Sequence, residues 1–472
     1  MKKLKMMLSM LVVIALTASM LGYLTKLVER KNSHYLYESF YEETENYDVL
    51  FLGSSRVLNG VFPMELWNDY GIVSYNCGIE GARIPVCYWV LRNVLEFTSP
   101  RLVVIDCYAM TNQSKGTQRV SQFHNFLDEL PLGTTKIETI WDIVEEEYLR
   151  PEFVWNFSLY HNRWNEIVQN DFESPISPEK GAESNYAVSP IALPKVASTE
   201  ILEEDGAGTE YLRRIIKLCQ EQGIEVLLTY LPFYTSKHLI QESNKAQRIA
   251  EEYGVNFISY SNFDSVVDPN TDCANYNISN SHLNPSGARK ITDYLGQYIT
   301  EHYEVPDHRE DSAYIGWHDD YREYTEFKLE NLAAQDKFEI YLMLLHDKNL
   351  SYCVYLSDNN VWHNNLYNNL FANASLNGDN FFSGCPTLAV VDNFTGLIAY
   401  LAPNESVETS FGVVMLDENN GAFKITIDGG DVLSLEKEAD AGAVVIANAI
   451  EDAVTASQFR INSPTTVDKL DP

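Results

Sequence analysis

The stretch DVLFLGSSRV, residues 48–57, is an apolar run that ends in a small turn. A run this short, followed by Gly53, predicts a strand that is buried on both faces. Gly53, Ser54 and Ser55 then stand at the carboxyl end of the strand, where a tight turn leaves a hydroxyl group and backbone N–H groups exposed. A nucleophile is expected at such a place.

Outward from this stretch, short apolar runs alternate with amphipathic segments. This alternation predicts a doubly wound parallel sheet, an α/β fold whose ligands bind at the carboxyl ends of the strands. Further strands are predicted in IVSYNCG (72–78), RLVVID (101–106), IEVLLTYLP (224–232) and VNFISY (255–260). Helices are predicted in 82–97, 208–223, 241–254 and from Pro285 to about Tyr303.

The N-terminus has the pattern of a membrane anchor. Three lysines stand in residues 1–5, Met6–Thr25 carries no charge, and charges return from Lys26 onward. This apolar run is long enough to cross a bilayer, whereas a secretory signal peptide has an apolar core of about 7–15 residues. We expect an uncleaved single-pass anchor, residues 1–31, with the catalytic region outside the cell. A cleaved signal peptide, with ALTAS (15–19) as a weak cleavage site, is the alternative.

Composition excludes some function classes. The chain has 67 acidic and 34 basic residues and a net charge of -33, which disfavours nucleic acid as a partner. The seven cysteines form no CxxC pair, and no His/Cys/Asp group has metal-ligand spacing. We predict no metal and no cofactor.

The sequence predicts four parts, of which the anchor (1–31) is the first. The α/β domain is expected over 32–306, interrupted by an insertion at 111–208, and a β-rich α+β domain is expected over 307–460. Residues 461–472 are expected to be a tail. Because the insertion leaves directly after a strand end, we expect it to overhang the ligand crevice.

Aromatic residues are dense in one part of the insertion, FVWNFSLYHNRWNEI (153–167). His161, Arg163 and Trp164 are candidate substrate-binding residues, because aromatic faces and a guanidinium suit stacking against sugar rings. Packing of a small subdomain is the alternative use, and His161 is also an alternative general base.

A second stretch, SNSHLNPSG (279–287), places a histidine in a polar loop. Asn284 is a good N-cap and Pro285 fits the first helical position, so His282 precedes the last helix of the α/β domain. The loop faces the same edge of the sheet as the turn after the first strand. The geometry therefore permits a Ser55–His282 pair.

Three motifs together resemble the SGNH (GDSL-like) hydrolase superfamily, over about residues 47–303 without the insertion. They are the serine after the first strand, the H-x-N-x-x-G run that begins at His282, and NCGIEGAR (76–83), whose Asn-x-x-x-x-Gly turn matches the second block of the family. The resemblance implies a flavodoxin-like three-layer fold. It also implies Ser55 as nucleophile, His282 as general base, and the N–H groups of Ser55 and Gly81 as oxyanion donors.

The chain departs from the family pattern at two positions. The family has a Gly-x-Asn after its third strand, and here the run is IDCYAMTN (105–112), with Asn112 as the remaining candidate donor. The family's acid stands three residues before the histidine, where this chain has Ser279. Three possibilities stay open for orienting the imidazole: Asn280 or a backbone carbonyl, a carboxylate from elsewhere such as Asp264, Asp268 or Asp272, or no orienting group at all.

An N-terminal anchor combined with GSSR (53–56) and HLNPSGA (282–288) resembles the members that modify cell-envelope polymers, such as the D-alanyl transfer protein of teichoic acid modification and the alginate O-acetylation proteins. The resemblance implies an esterase or O-acyltransferase acting on an envelope polysaccharide or acylated glycan, with a membrane-bound acyltransferase as a possible partner. Arg56 is a candidate contact for an anionic substrate group, with a surface salt bridge as its alternative. The alternative function is a catalytically silent scaffold that binds a glycan or the acyltransferase.

Overall fold

The structure, a computed structural model, describes a long N-terminal helix, an α/β domain and a C-terminal α+β region. The described residues are 2–29, 39–41, 46–172, 177–193, 196–232, 236–275, 282–357, 360–376, 378–381, 386–435, 441–448, 453–463 and 466–470.

The α-helices and strands are named in chain order. The helices are α1 Lys2–Val28, α2 Ser55–Leu58, α3 Pro63–Tyr70, α4 Ile84–Val94, α5 His124–Leu127, α6 Thr134–Ile143, α7 Arg150–Val154, α8 Phe157–Tyr160, α9 Ala207–Gln222, α10 Lys237–Tyr253, α11 Pro285–His302, α12 Trp317–Ala333, α13 Phe338–Leu344 and α14 Asn365–Asn373. The strands are β1 Val49–Gly53, β2 Ser74–Gly78, β3 Leu102–Asp106, β4 Glu225–Thr229, β5 Asn256–Ile258, β6 Ser351–Leu356, β7 Thr387–Asp392, β8 Leu397–Leu401, β9 Ser406–Thr409, β10 Gly412–Asn419, β11 Ala422–Ile427, β12 Gly430–Leu435, β13 Ala441–Asn448, β14 Ala453–Ser463 and β15 Thr466–Leu470.

The first five strands form one parallel sheet in the order β2-β1-β3-β4-β5. This is the strand order of flavodoxin-like sheets, and it confirms the predicted parallel sheet. The chain leaves β1 toward one side, to β2, and returns to its other side at β3. The crevice between the carboxyl ends of β1 and β3 is therefore the place where such sheets bind ligands.

Helices cover both faces of this sheet. Successive residues of a strand point to opposite sides, so each strand contributes side chains to both helical layers. Leu50 and Leu52 of β1 belong to the core cluster that contains residues of α4 and α9. Val49 and Phe51 belong to the cluster that contains residues of α3 and α11. This confirms the doubly wound arrangement. The six cysteines in the described part of the chain are buried thiols without a disulfide.

The N-terminal helix α1 is long and apolar enough to cross a membrane. The most apolar 18-residue window within Lys3–Val28 has a mean hydropathy of 2.1 and is not buried against the rest of the chain. Only its last residues, including Val28 at 4% exposure, pack against the protein.

The C-terminal region is antiparallel and β-rich, as predicted. Its sheets have the orders β15-β14-β13-β6-β7-β8 and β12-β11-β10-β9. Residues 453–463 and 466–470 are paired strands, so most of the predicted tail (461–472) is part of a sheet. TVDKL (466–470) pairs with β14, and Lys469 Nζ donates to the carbonyl oxygens of Ala333 and Gln335, so this strand is held by contacts with distant parts of the chain.

Buried charges join the α/β domain to the C-terminal region. Arg289 of α11 pairs with Glu65 of α3 and, at 3.2 Å, with Asp347 Oδ1. Lys328 of α12 places Nζ 2.8 Å from Glu65 Oε1 and 2.7 Å from Asp347 Oδ2. All four side chains are at most 8% exposed. Buried pairs of this kind tolerate little displacement, because separating the charges leaves them desolvated and unpaired.

Candidate active site

The serine turn follows β1 directly. Gly53 ends the strand, Ser54 is the N-cap of the short helix α2 with its Oγ accepting from Arg56 N at 3.3 Å, and Ser55 is the first residue of α2. A Cβ on Gly53 would lie 2.4 Å from Val57 Cγ2, so only glycine lets the turn fold back so closely. Ser55 is 9% exposed and stands at the switch point between β1 and β3.

Asn76 of β2 holds this turn in place. Its Nδ2 donates to the carbonyl oxygens of Val57 and Val61, both at 2.8 Å, and its Oδ1 accepts from Gly78 N at 2.9 Å. Asn76 is fully buried, so these bonds replace ones that water would otherwise supply. The sequence interpretation used Asn76 only as the start of a motif. A polar amide inside a buried strand end was the available signal for a positioning role.

The loop of His282 is tied to the segment that precedes it. Ala274 N donates to the His282 carbonyl at 2.9 Å, and Asn284 N donates to the Asp272 carbonyl at 3.1 Å. Asn284 Oδ1 accepts from Gly287 N at 3.1 Å, which confirms Asn284 as the N-cap of α11. The loop therefore presents the imidazole in one position.

The structure brings Ser55 and His282 together, with 2.8 Å between Ser55 Oγ and His282 Nε2. This is a hydrogen-bond distance. Burial lowers the pKa of His282 from its ordinary value, and the positive charge of Arg56 lowers it further, while Glu80 opposes the effect. The imidazole is therefore neutral at pH 7, as a general base must be.

The other ring nitrogen, His282 Nδ1, faces Asn275. Asn275 Nδ2 lies 3.0 Å from Nδ1. The Oδ1 of the same amide is buried and has no hydrogen-bond partner in the part of the chain that the structure describes. Sequence analysis did not consider Asn275, because it stands seven residues before the histidine and the family acid stands three before.

The predicted orienting groups have different outcomes. Asp272 is fully buried, and its carboxylate accepts from Asp268 N at 2.7 Å, Ser286 Oγ at 2.7 Å and Lys290 Nζ at 2.8 Å. None of its contacts among the described residues is with the imidazole, so Asp272 supports the loop and does not orient His282. Asn280, together with position 279, lies outside the described residues.

The candidate oxyanion donors also have different outcomes. In the described residues, the N–H groups of Ser55 and Gly81 donate to no protein acceptor, and Gly81 has the positive φ of +68°. Asn112 is exposed, and its Oδ1 accepts from Ser114 N at 3.0 Å, which makes it a turn residue. Its contacts among the described residues do not reach Ser55.

Arg56 lies against the carboxyl end of β3. Its Nη1 donates to the Leu231 carbonyl at 2.9 Å, and its guanidinium stands 4.0 Å from the centre of the Tyr108 ring. The nearby carboxyl of Asp106 is 1% exposed, and burial raises its pKa to about 6, although Arg56 acts in the opposite direction. Contact of Arg56 with an anionic substrate group stays a prediction.

The other predicted substrate-binding residues lie near the C-terminal end of α1. Arg163 Nη1 donates to the carbonyl oxygen of Val28 at 2.8 Å and to that of Glu29 at 2.5 Å. His161 is exposed with Nδ1 on the Ser158 carbonyl at 2.9 Å, and Trp164 is 66% exposed. In the described residues, the contacts of these side chains reach neither Ser55 nor His282.

A later part of the insertion does touch both halves of the site. Glu183 N donates to the Leu58 carbonyl, behind the serine turn, at 3.0 Å. Ser189 N donates to the Cys273 carbonyl, beside the histidine loop, at 2.8 Å. Residues 177–193 therefore connect the segment after Ser55 with the segment before His282.

Comparison with known proteins gives little further information. No family model and no curated protein matches the chain. Among solved structures, the chain is similar to a "putative acylhydrolase" from Bacteroides fragilis NCTC 9343, with a TM-score of 0.29 and 13% sequence identity over 58% of this chain and 99% of that chain. At these values the likeness carries no conclusion about this chain.

Proposed function

We propose that the chain is a serine hydrolase or acyltransferase of the SGNH type, with Ser55 as nucleophile and His282 as general base. The observation that carries the proposal is the 2.8 Å contact between Ser55 Oγ and His282 Nε2 at the carboxyl end of β1. The neutral imidazole and the unpartnered N–H groups of Ser55 and Gly81 in the described residues support it, because acyl transfer needs a base and an oxyanion site.

The reaction follows from this geometry. Ser55 Oγ attacks the carbonyl carbon of an ester while its proton passes to His282 Nε2. The tetrahedral intermediate, with its oxyanion facing the N–H groups of Ser55 and Gly81, expels the alcohol, which takes the proton from Nε2. Water or a sugar hydroxyl then attacks the acyl-serine, gives its proton to Nε2, and releases Ser55 with that proton returned.

Asn275 decides which tautomer of His282 is present. Where Nδ2 faces His282 Nδ1, as in the structure, Nδ1 accepts and Nε2 carries the proton, so His282 is no base toward Ser55. Rotating the amide by half a turn places the now unpartnered Oδ1 at the same point, where it accepts from Nδ1–H. Nε2 then accepts from Ser55. We infer that the second orientation is the working one and that Asn275 is a positioning residue.

The nucleophile is tested by labelling the full chain in detergent with a fluorophosphonate and by hydrolysis of p-nitrophenyl acetate. We expect Ser55→Ala to abolish labelling and both Ser55→Ala and His282→Ala to lower hydrolysis by about 10³-fold or more. The matched control is Ser54→Ala, which removes the neighbouring hydroxyl and retains labelling. Labelling that survives Ser55→Ala, or its absence in the unaltered chain, contradicts the proposal.

Asn275 is tested by two substitutions. Asn275→Asp supplies a carboxylate to Nδ1, so we expect a higher kcat/KM and an acid limb displaced to higher pH, because a neighbouring negative charge raises the pKa of His282. Asn275→Leu removes the acceptor and should lower kcat/KM about 10-fold or more with little change in KM, since tautomer control acts on the chemical step. A pH profile unchanged in Asn275→Asp would show that Asn275 does not contact the working imidazole.

For the substrate, we propose an acylated cell-envelope polysaccharide outside the cell, acted on by an enzyme that α1 holds at the membrane. Support comes from the anchor pattern of α1. One observation favours the silent scaffold as a second candidate: in the described residues the group facing His282 Nδ1 is an amide and not a carboxylate. An acetylated glycan that binds the chain without losing acetate, together with absent fluorophosphonate labelling, would favour the scaffold.

A further inference from the structure

One short segment of the insertion exposes five large apolar side chains. Their exposed fractions range from 40% to 66%. We call this surface the aromatic platform, and it consists of Trp155, Leu159, Trp164, Val168 and Phe172. Soluble surfaces carry single exposed apolar residues without consequence, but a group of them marks a contact surface.

The aromatic platform lies beside the C-terminal end of α1. The helix packs against residues 157–160, 161–165 and 169–172, which include Leu159, Trp164 and Phe172 of the platform. Arg163 Nη1 donates to the carbonyls of Val28 and Glu29, and Asn156 Nδ2 donates to Glu29 Oε1 at 3.0 Å. The last carbonyls of a helix lack partners within it, so the donors of Arg163 bind the C-terminal end of α1 to the insertion.

The length of α1 places this junction close to the lipid surface. The uncharged run Met6–Thr25 matches the hydrocarbon core of a bilayer, about 30 Å thick, at about 1.5 Å per residue. Glu29 is four residues beyond Thr25, or about 6 Å along the axis, which lies within the headgroup layer. Side chains beside Val28 and Glu29 therefore stand at the same depth.

We propose that the aromatic platform lies in the interfacial layer of the bilayer that α1 crosses. The protein then contacts lipid at two places, through α1 and through the platform. Tryptophan favours this layer because its apolar ring carries a polar N–H group, and the leucine, valine and phenylalanine side chains can bury apolar area there. Since the chain has a net charge of -33, the contact depends on apolar area and does not require anionic lipid. The contact is independent of whether Ser55 is a nucleophile.

The test uses the full chain reconstituted in phosphatidylcholine vesicles, with tryptophan fluorescence quenched by dibrominated phosphatidylcholine. Helix α1 contains no tryptophan, and Trp67, Trp89 and Trp317 are buried, so lipid quenching reports on the exposed indoles. We expect bromines placed near the headgroup to quench more than bromines deep in the acyl chain. The double variant Trp155→Phe, Trp164→Phe should lose most of the quenching.

The control variant is Trp141→Phe. Trp141 is 52% exposed, close to the 50% of Trp155, but it lies on α6, outside the segments that hold α1. Its removal should leave quenching nearly unchanged, and replacing a third of the lipid with phosphatidylglycerol should not increase it. Equal loss in both variants, or none in the double variant, overturns the proposal. Indoles shielded from aqueous acrylamide yet unquenched by bromolipid would show that a second copy of the chain covers the surface, which also overturns it.

Discussion

The serine turn and the histidine loop are supported in different ways. The turn that carries Ser55 is held by residues of neighbouring strands, chiefly Gly53 and Asn76, which lie within 25 residues of one another. The loop that carries His282 is held by Asp272 and Lys290 on either side and by Asn373 of the C-terminal region, whose Nδ2 donates to Thr271 Oγ1 at 2.8 Å. The serine turn is thus held within the α/β domain, whereas the histidine loop also contacts the C-terminal region through Asn373.

This difference gives the C-terminal region a structural role in the site. Helix α11, which begins directly after the histidine loop, carries Arg289 into the buried charge group with Glu65, Lys328 and Asp347. The C-terminal region therefore contacts the helix that begins directly after the histidine loop. Three predictions test the comparison.

The largest expected effect comes from Lys328→Met. Removing Nζ leaves Glu65 and Asp347 buried with less compensation, and we expect the free energy of unfolding to fall by about 3–5 kcal/mol in urea titrations. The matched control is Lys348→Met, which removes a lysine whose side chain is 57% exposed and should cost about 0–1 kcal/mol. Similar losses in the two variants would show that the charge group does not hold the regions together.

A smaller effect is expected from Asn76→Ala on the serine side. The substitution leaves the carbonyls of Val57 and Val61 without their donor and should cost about 2–4 kcal/mol, with slower fluorophosphonate labelling. Asn93→Ala is the control, because it removes a buried amide on α4 that donates to the Trp89 carbonyl, away from the site. We expect it to lower stability while labelling keeps its rate. Equal slowing in both variants would mean that labelling follows stability alone.

The smallest effect concerns the pH dependence. Because burial and Arg56 hold the pKa of His282 below its ordinary 6.5, the neutral base persists below that pH, and activity should fall only as the pH drops further. Arg56→Gln should move the acid limb of kcat/KM to higher pH, and Glu80→Gln should move it to lower pH.

The titration of Asp106 has to be distinguished from that of His282, because burial raises the pKa of Asp106 to about 6 and Arg56 also acts on it. The Asp106→Asn substitution removes the titration of Asp106, and the same pH profiles are measured in that background. If the two substitutions then displace the limb in the same direction, the limb does not report the titration of His282.

Much of the fold was predictable because its signals are local. Apolar runs with a following glycine predicted β1 and β2, and the Asn-Pro pair at 284–285 predicted the start of α11. The end of the chain was mispredicted as a tail, because Thr466–Leu470 is too short and too polar to show a strand without its partner β14. Arg163 was a candidate substrate-binding residue with packing as the alternative, and in the structure it donates to the carbonyl oxygens of Val28 and Glu29 at the end of α1.

The sequence by itself determined that Ser55 follows a buried strand and that His282 precedes a helix of the same domain. Strand burial, turn chemistry and N-caps depend on residues within a few positions, so pattern suffices for them. Only the tertiary structure decided that His282 meets Asn275 and that the aromatic segment of the insertion meets α1. The direction of a side chain in an irregular loop is set by contacts with distant parts of the chain, and these leave no periodic trace in sequence.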